Sequence, residues 1–394
     1  MKATFGSAAS TDQRPKPPAS AVVGMVGGGQ LARMTAQAAI SLGIELRILS
    51  TDPCDSAVTA GAQHVLGSPQ DLEALKAFAA GCDVVTYDHE HVPFHHQQTL
   101  HDNGARLAPP PNAALFGQDK LHARRTMKAQ SLPVPPFAYA QSVADIDRFA
   151  GHHGWPLVAK APRGGYDGRG VWILADSSQA QHRLLTSTQG LLLEPKLDII
   201  TEIAVLVTRS PTGETKTYPA VETVQRDGMC REILAPAPIP GELAEQARQL
   251  AIRLATEIEA VGVIAVEMFH TAGGLVINEV ALRPHNSGHF TIEGAVTSQF
   301  EQHLRAVLGW PLGETALTAP TVATVNVIGS ATATDPASQL PAALTVPGIH
   351  VHLYRKAPLP GRKLGHVTAL GATLPDTLHR ARHAAALLGG DPHE

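Results

Sequence analysis

A lysine closing an apolar run, followed by a dense group of glycines, constrains this chain more than any other feature. The stretch reads Lys160-Ala-Pro-Arg-Gly-Gly-Tyr-Asp-Gly-Arg-Gly170, with Gly164, Gly165, Gly168 and Gly170 inside seven residues. Leu157-Val158-Ala159 leads into it and Val171-Trp172-Ile173-Leu174 follows at once. Strand, glycine-rich tip and strand describe a flap, not a strand-to-helix phosphate loop, and the sequence contains no Walker A pattern. Glycines let the backbone take positive φ and approach an anion closely. Successive N–H groups can then cradle phosphate oxygens, and Lys160 adds a point charge for them. A long hairpin turn alone would also select glycine. It gives no reason for Lys160, Arg163, Tyr166, Asp167 and Arg169 to stand together.

At 394 residues the chain exceeds one ordinary core, so roughly two or three domains are expected. A net charge of −4 without a basic block argues against nucleic acid or a membrane surface as partner. No apolar run reaches membrane-spanning length. Residues 1–20 are polar, lack a signal-peptide apolar region and read as a disordered tail. Cys54, Cys82 and Cys230 form no CxxC pattern, which suits a reducing cytoplasm and ordinary buried thiols.

From 21 to about 111, short apolar runs alternate with helical patterns, as in a doubly wound parallel sheet, and Pro109-Pro110-Pro111 marks a boundary. Strands are expected over 22–26, 45–50 and 84–87, and helices over 30–41 and 71–80. Gly27-Gly28-Gly29-Gln30-Leu31-Ala32 matches G-x-G-x-x-A, and Asp52 stands near the distance of a ribose-binding acid. Any tight strand-to-helix turn selects glycine, so the turn is read as an anion site for a phosphorylated ligand rather than for NAD. His89-Glu90-His91 with His95-His96 matches no standard zinc spacing and reads as a polar loop at the carboxyl edge of the sheet.

A basic helix is expected over 121–130. Another should run from Ser142 to about 153, with Ser142 and Asp145 placed as a capping box. Thr201 to Arg209 alternates like a half-buried strand. A long amphipathic helix over 242–261 is closed by Gly262. Beyond 320 the pattern is mostly β, with a closing helix near 375–388.

Two strands over 263–269 and 275–280 flank a turn at 271–274. Glu267 and Glu279 are equidistant from Gly273, so symmetric antiparallel pairing sets them opposite, on one face. Like charges so placed are destabilising unless offset. Mg²⁺ held by carboxylates and substrate phosphates is one such offset. A different register or a bulge would instead separate them.

Taken together, these residues resemble the ATP-grasp superfamily, and within it the N5-carboxyaminoimidazole ribonucleotide synthetase family. The matching pieces are Gly27–Met34, Gly165–Gly170, Asn278-Glu279, Arg283-Pro-His-Asn-Ser-Gly-His289 and Gly361-Arg-Lys-Leu-Gly-His366. The resemblance implies α/β and α+β architecture in three parts. These are an N-terminal Rossmann-like parallel sheet (21–118), a two-lobed ATP-grasp domain (119–315, small lobe about 133–197) and a small mainly β C-terminal domain (316–394). It implies ATP-dependent carboxylation of 5-aminoimidazole ribonucleotide by bicarbonate through carboxyphosphate, in the cytoplasm, by a homodimer. Glu267 and Glu279 would hold Mg²⁺, or Mn²⁺. Lys160 and the flap residues Gly165, Tyr166, Asp167, Gly168, Arg169, Gly170 and Val171 would cover the ATP phosphates.

Lys120, Glu194, Pro195, Lys196, Leu197, Glu202, Gln225 and Asn278 fall at the family's other ATP positions, with Glu194, Leu197 and Glu202 at adenine and ribose. Tyr166, Asp167 and Arg169 fall near the substrate amine, where Asp167 would accept its proton. Arg283, His285 and Lys363 would steady bicarbonate or carboxyphosphate. Gln30, Glu90, Asn286, Ser287, Lys356, Arg362 and Lys363 fall on the nucleotide substrate. The sequence departs from the family pattern at Asp88–His91, at Gln225 in place of histidine, at Lys120 in place of arginine and at Leu282 in place of proline. Rival readings are another ATP-grasp ligase using formate or biotin, an NAD-dependent oxidoreductase, and a non-catalytic nucleotide-binding module.

Overall fold

The computed structural model describes residues 20–165, 170–331 and 334–389. Four short segments, β1 (Val22–Val26), β2 (Glu45–Ser50), β3 (Gln63–Leu66) and β4 (Val84–Tyr87), form a parallel sheet in the order β3-β2-β1-β4. Helix Gln30–Leu42 follows β1 and buries Ala32, Ala36 and Ala39, as four- and three-residue spacing requires, with Leu31 and Met34 beside them. Gly43 at φ 66 ends it in the left-handed region. Helix Leu72–Ala79 is capped by Asp71, whose side chain accepts the N–H groups of Glu73 and Ala74.

A small antiparallel lobe comprises β5 (Ala138–Ala140), β6 (Leu157–Lys160), β7 (Val171–Leu174) and β8 (Leu191–Pro195), in the order β5-β8-β6-β7. Helix Val143–His153 packs on it and carries the expected Ser142/Asp145 capping box.

The remaining strands are β9 (Ile199–Arg209), β10 (Thr215–Thr217), β11 (Val221–Arg226), β12 (Met229–Ala235), β13 (Gly262–Thr271), β14 (Gly274–Ala281), β15 (Thr321–Ile328), β16 (Ile349–Leu353) and β17 (Lys363–Gly371). They make one sheet in the order β14-β13-β9-β11-β12-β15-β17-β16, with β10 beside β9. The C-terminal strands join the large lobe through the antiparallel β12–β15 ladder, from Glu232–Val325 to Ala235–Val322.

Two expectations are corrected. Strand β9 is not half-buried, because every residue from Ile203 to Thr208 is at most 1% exposed. Its alternation divides two cores: Ile203, Val205 and Val207 meet the helix Gly241–Glu257, while Ala204 and Leu206 meet Tyr218 and Phe290. The long helix also stops at Glu257 rather than near Val261. The left-handed turn there is taken by Glu259 at φ 50, and Gly262, at φ 106, already begins β13. A Cβ on Gly262 would lie 2.9 Å from the buried His303 ring, so strand packing demands that glycine.

Candidate active site

The floor of the site is the β13–β14 hairpin. A two-residue turn pairs Thr271 with Gly274, and that register continues to Met268–Ile277. Continued further, it would set Glu267 opposite Asn278. The ladder instead shifts by one residue there, and Glu267 pairs with Glu279. The expected pair therefore exists, reached through a bulge at Asn278 rather than through symmetry about Gly273. Bulges re-aim side chains, and this one presents both Asn278 and Glu279 to cations. Lys160 Nζ donates to Asn278 Oδ1 at 3.0 Å, Arg124 Nη2 donates to the Asn278 carbonyl at 2.7 Å, and Lys120 Nζ pairs with Glu279.

The two carboxylates differ electrostatically. Burial pushes Glu267 up to about 7, with Glu279 and then Glu202 adding to the effect. Burial is the largest influence on Glu279 too, but Lys120, joined by Lys160 and Arg124, holds that carboxyl below its usual value. Glu267 Oε1 lies 3.7 Å from His285 Nε2. Two facing carboxylates, one of them reluctant to ionise, suit a cation between them. Among the described residues no three His, Cys, Asp or Glu side chains converge as a self-sufficient metal site. Phosphate oxygens would have to complete the shell, as Mg²⁺ commonly requires.

Lys160 ends β6 and is only 8% exposed. Its Nζ meets Glu194 Oε2 at 2.7 Å, and Arg124 Nε meets Glu194 Oε1 at 2.6 Å. Burial opposes the ionised form of Glu194, yet Arg124 and Lys160 prevail and hold its carboxyl below the usual range. Both Glu194 oxygens are thus engaged in placing two cations. Arg124 was not singled out in the sequence. Its position four residues after Lys120 puts both on one helix face, which is the signal that could have found it.

The flap leaves β6 as a hairpin: Lys160 pairs with Val171, and Ala161 N–H reaches Gly170 O at 2.8 Å. Pro162 O accepts Lys120 N–H at 2.9 Å, and Arg163 is held by Asp119 at 2.8 Å. Tyr166, Asp167, Gly168 and Arg169 lie outside the described residues. Of the remaining ATP-side candidates, Pro195 ends β8, and Lys196 and Leu197 lead toward β9. Glu202 is hydrogen-bonded to Gln225 across β9 and β11 and pushed up by burial.

On the other side of Glu267, Arg283 Nε pairs with Glu90 at 2.7 Å. His285 Nδ1 contacts Ser287 Oγ at 2.9 Å, and Asn286 reaches the Cys230 thiol. Lys363 opens β17 close enough to act on Glu267. Lys356 Nζ donates to Gln30 Oε1, while Arg362 Nη1 donates to Ala357 O at 3.4 Å. The N-terminal sheet, the large lobe and the C-terminal strands thus all contribute to one locality.

The Gly27–Gly29 turn differs from its reading as a ligand-phosphate site. Asp88 Oδ2 accepts Gly29 N–H at 2.5 Å and Oδ1 accepts Ala32 N–H at 3.3 Å, so a carboxylate from β4's end already caps the helix. A Cβ on Gly28 would lie 2.7 Å from Asp55, and one on Gly29 would lie 2.6 Å from Asp88. Asp52 accepts the N–H of Cys54 at 2.8 Å as a local turn. Asp88→Ala is expected to lower stability by about 0.5–2 kcal/mol, the usual value of such a cap. Urea unfolding measures it, and an unchanged midpoint would show that the contact contributes nothing. His95 and His96 sit in helix Phe94–Asp102 rather than in a loop.

Three family models cover these parts in order. Residues 20–118 match the ribonucleotide synthetase preATP-grasp domain, 125–300 the ATP-grasp domain, and 323–380 the phosphoribosylaminoimidazole carboxylase C-terminal domain. Fold and site therefore define an ATP-grasp protein. The N5-carboxyaminoimidazole ribonucleotide synthase of Mycobacterium tuberculosis is 46% identical over 389 residues, covering 94% of this chain and 90% of the relative. The N5-carboxyaminoimidazole ribonucleotide synthetase structure from Thermus thermophilus superposes with a TM-score of 0.84 at 37% identity, covering 94% of this chain and 99% of that one. The Aspergillus clavatus N5-carboxyaminoimidazole synthase in complex with ADP and 5-aminoimidazole ribonucleotide gives 0.86 at 30% identity, with 94% and 99% coverage. The chain belongs to the N5-carboxyaminoimidazole ribonucleotide synthase family.

Proposed function

We propose that this protein uses ATP and bicarbonate to carboxylate the exocyclic amine of 5-aminoimidazole ribonucleotide, releasing ADP and phosphate, in purine biosynthesis. The observation that carries the reading is the position of Glu267. It pairs across the hairpin with Glu279, the partner of Lys120, lies 3.7 Å from His285, and has Lys363 close enough to act on it.

Lys160, fixed by Glu194 and Asn278, meets the ATP phosphates, and Lys120 stands beside the same locality. A divalent cation, Mg²⁺ or Mn²⁺, held by Glu267 and Glu279 would neutralise charge on the transferring phosphoryl group. A bicarbonate oxygen attacks the γ-phosphorus and the bond to ADP breaks, giving carboxyphosphate. Arg283, oriented by Glu90, and His285 hold its carboxylate end. The substrate amine nitrogen then bonds to the carboxyl carbon as phosphate leaves with the C–O bonding pair. Asp167 accepts the amine proton. Gln30, Lys356 and Arg362 hold the substrate's ribose phosphate, for which an arginine–lysine pair is suited.

A coupled ADP-release assay, omitting each substrate in turn, tests this reading. ADP release should require both bicarbonate and 5-aminoimidazole ribonucleotide. An equal rate without bicarbonate would overturn it, and turnover with formate or biotin would establish a different ATP-grasp ligase.

A further inference from the structure

We propose that His289 and His366 are positioning residues, a stacked pair that locks the Arg283–His285 loop to the start of β17 at Arg362 and Lys363. The inference rests on the carboxylase reading, in which neither ring touches a reactant.

Each histidine closes one of the late motifs, yet neither motif's chemistry uses it. Both are fully buried, and their rings stack at 4.8 Å with an interplanar angle of 27°. His366 stacks in turn on His352 at 4.6 Å, and His352 Nε2 meets Glu293 Oε1 at 2.7 Å.

The pair is tied to the loops on both sides. The buried Gln299 amide accepts His285 N–H at 2.9 Å, donates to His285 O at 2.7 Å and lies 3.3 Å from His289 Nδ1. One side chain therefore fixes the backbone of His285 and the ring of His289 together. On the other side, Tyr354 Oη lies 2.7 Å from His366 Nδ1, while Tyr354 N–H donates to Leu364 O at 2.8 Å, next to Lys363. Tyr354 also stands two residues before Lys356, which holds Gln30. The two rings thus form one contact between a loop that would carry bicarbonate and a strand end that would carry the nucleotide.

Protonation would break this arrangement. Burial holds His289 well below its usual value, with His285, Lys363, His352 and Arg283 reinforcing the effect. Burial does the same to His366, aided by His289 and His352. Two uncharged imidazoles stack without repulsion and carry no charge into a locality already holding Arg283 and Lys363. Removing one ring frees a loop that would carry bicarbonate and a strand end that would carry the ribonucleotide, so the loss should appear in the binding of those two substrates and not in that of ATP.

The test compares His366→Ala with His366→Phe, measuring KM for 5-aminoimidazole ribonucleotide, bicarbonate and ATP. His366→Ala should raise the ribonucleotide KM about tenfold, equivalent to about 1.4 kcal/mol, and leave the ATP KM within about twofold. His366→Phe, which restores a ring, should recover most of the loss. An unchanged ribonucleotide KM, or equal increases in all three constants, overturns the proposal. If His366→Ala does not fold, Tyr354→Phe keeps the ring and removes only its hydroxyl contact. It should raise the ribonucleotide KM about threefold, and no change there is equally decisive. Failure of the carboxylase reading shows separately, as absence of ribonucleotide-dependent ADP release in the unmodified enzyme, and removes this inference with it.

Discussion

Glu279→Gln is expected to reduce ADP release by about 10³-fold or more, because charge stabilisation of a transferring phosphoryl group is worth several kcal/mol. Glutamine keeps the shape that the bulge demands, so the hairpin register should survive. The substitution removes one of two facing like charges, which favours the fold, and leaves Lys120 without its partner, which does not. The two effects oppose each other, and the thermal midpoint should move little. The ADP assay and a thermal melt on the same sample separate loss of chemistry from loss of structure. Full activity would reject the role given to this carboxylate.

Glu194→Gln should be the most destabilising single change in the nucleotide site. Arg124, Lys160 and Glu194 are respectively 3%, 8% and 3% exposed, so both cations depend on one buried carboxylate. Removing one partner from such a cluster typically costs about 3–5 kcal/mol, because the remaining charges stay buried and uncompensated. The triad also crosses between units: Lys160 and Glu194 belong to the small lobe, while Arg124 reaches Asn278 on β14. Its loss should therefore loosen the small lobe against the large one as well as lower stability. Urea unfolding followed by tryptophan fluorescence reads this, since Trp155 and Trp172 lie in that lobe. Replacing Arg124, Lys160 and Glu194 together by methionine, methionine and leucine should recover stability but not turnover. If Glu194→Gln unfolds at the wild-type urea concentration, the triad contributes nothing to stability.

Much of the site was legible because its signals are local. The flap announces itself through glycines between two apolar runs, and the two glutamates through hairpin arithmetic. That arithmetic reached the right pair by the wrong route, since a bulge cannot be read from spacing alone. Asp88 was not legible as a cap, because its partners Gly29 and Ala32 lie 59 and 56 residues away. Helix Gln299–Leu308 was missed for a different reason. Its buried face mixes Gln299, Gln302 and His303 with the stripe of Phe300, Leu304 and Val307, so polar residues interrupt the apolar pattern. Those polar groups are satisfied in the fold: Gln302 exchanges hydrogen bonds with the Gly313 backbone at 2.7 and 2.8 Å. His303 contacts Thr86 at 2.8 Å and accepts Val263 N–H at 3.1 Å. Helix Phe94–Asp102 buries little besides Gln97 and Leu100, so its composition resembles a loop.

The antiparallel ladder between β12 and β15 has a mechanical meaning. Backbone hydrogen bonds make the large lobe and the C-terminal strands one continuous beam, so relative movement along that seam would have to rupture a ladder. Any movement over a bound nucleotide would then fall to the small lobe, which has a sheet of its own. A fragment cut near 315 would also bare the edge of β12, an unpaired template that invites aggregation. The C-terminal segment is accordingly less a detachable module than the far end of the platform on which the glutamate hairpin is built.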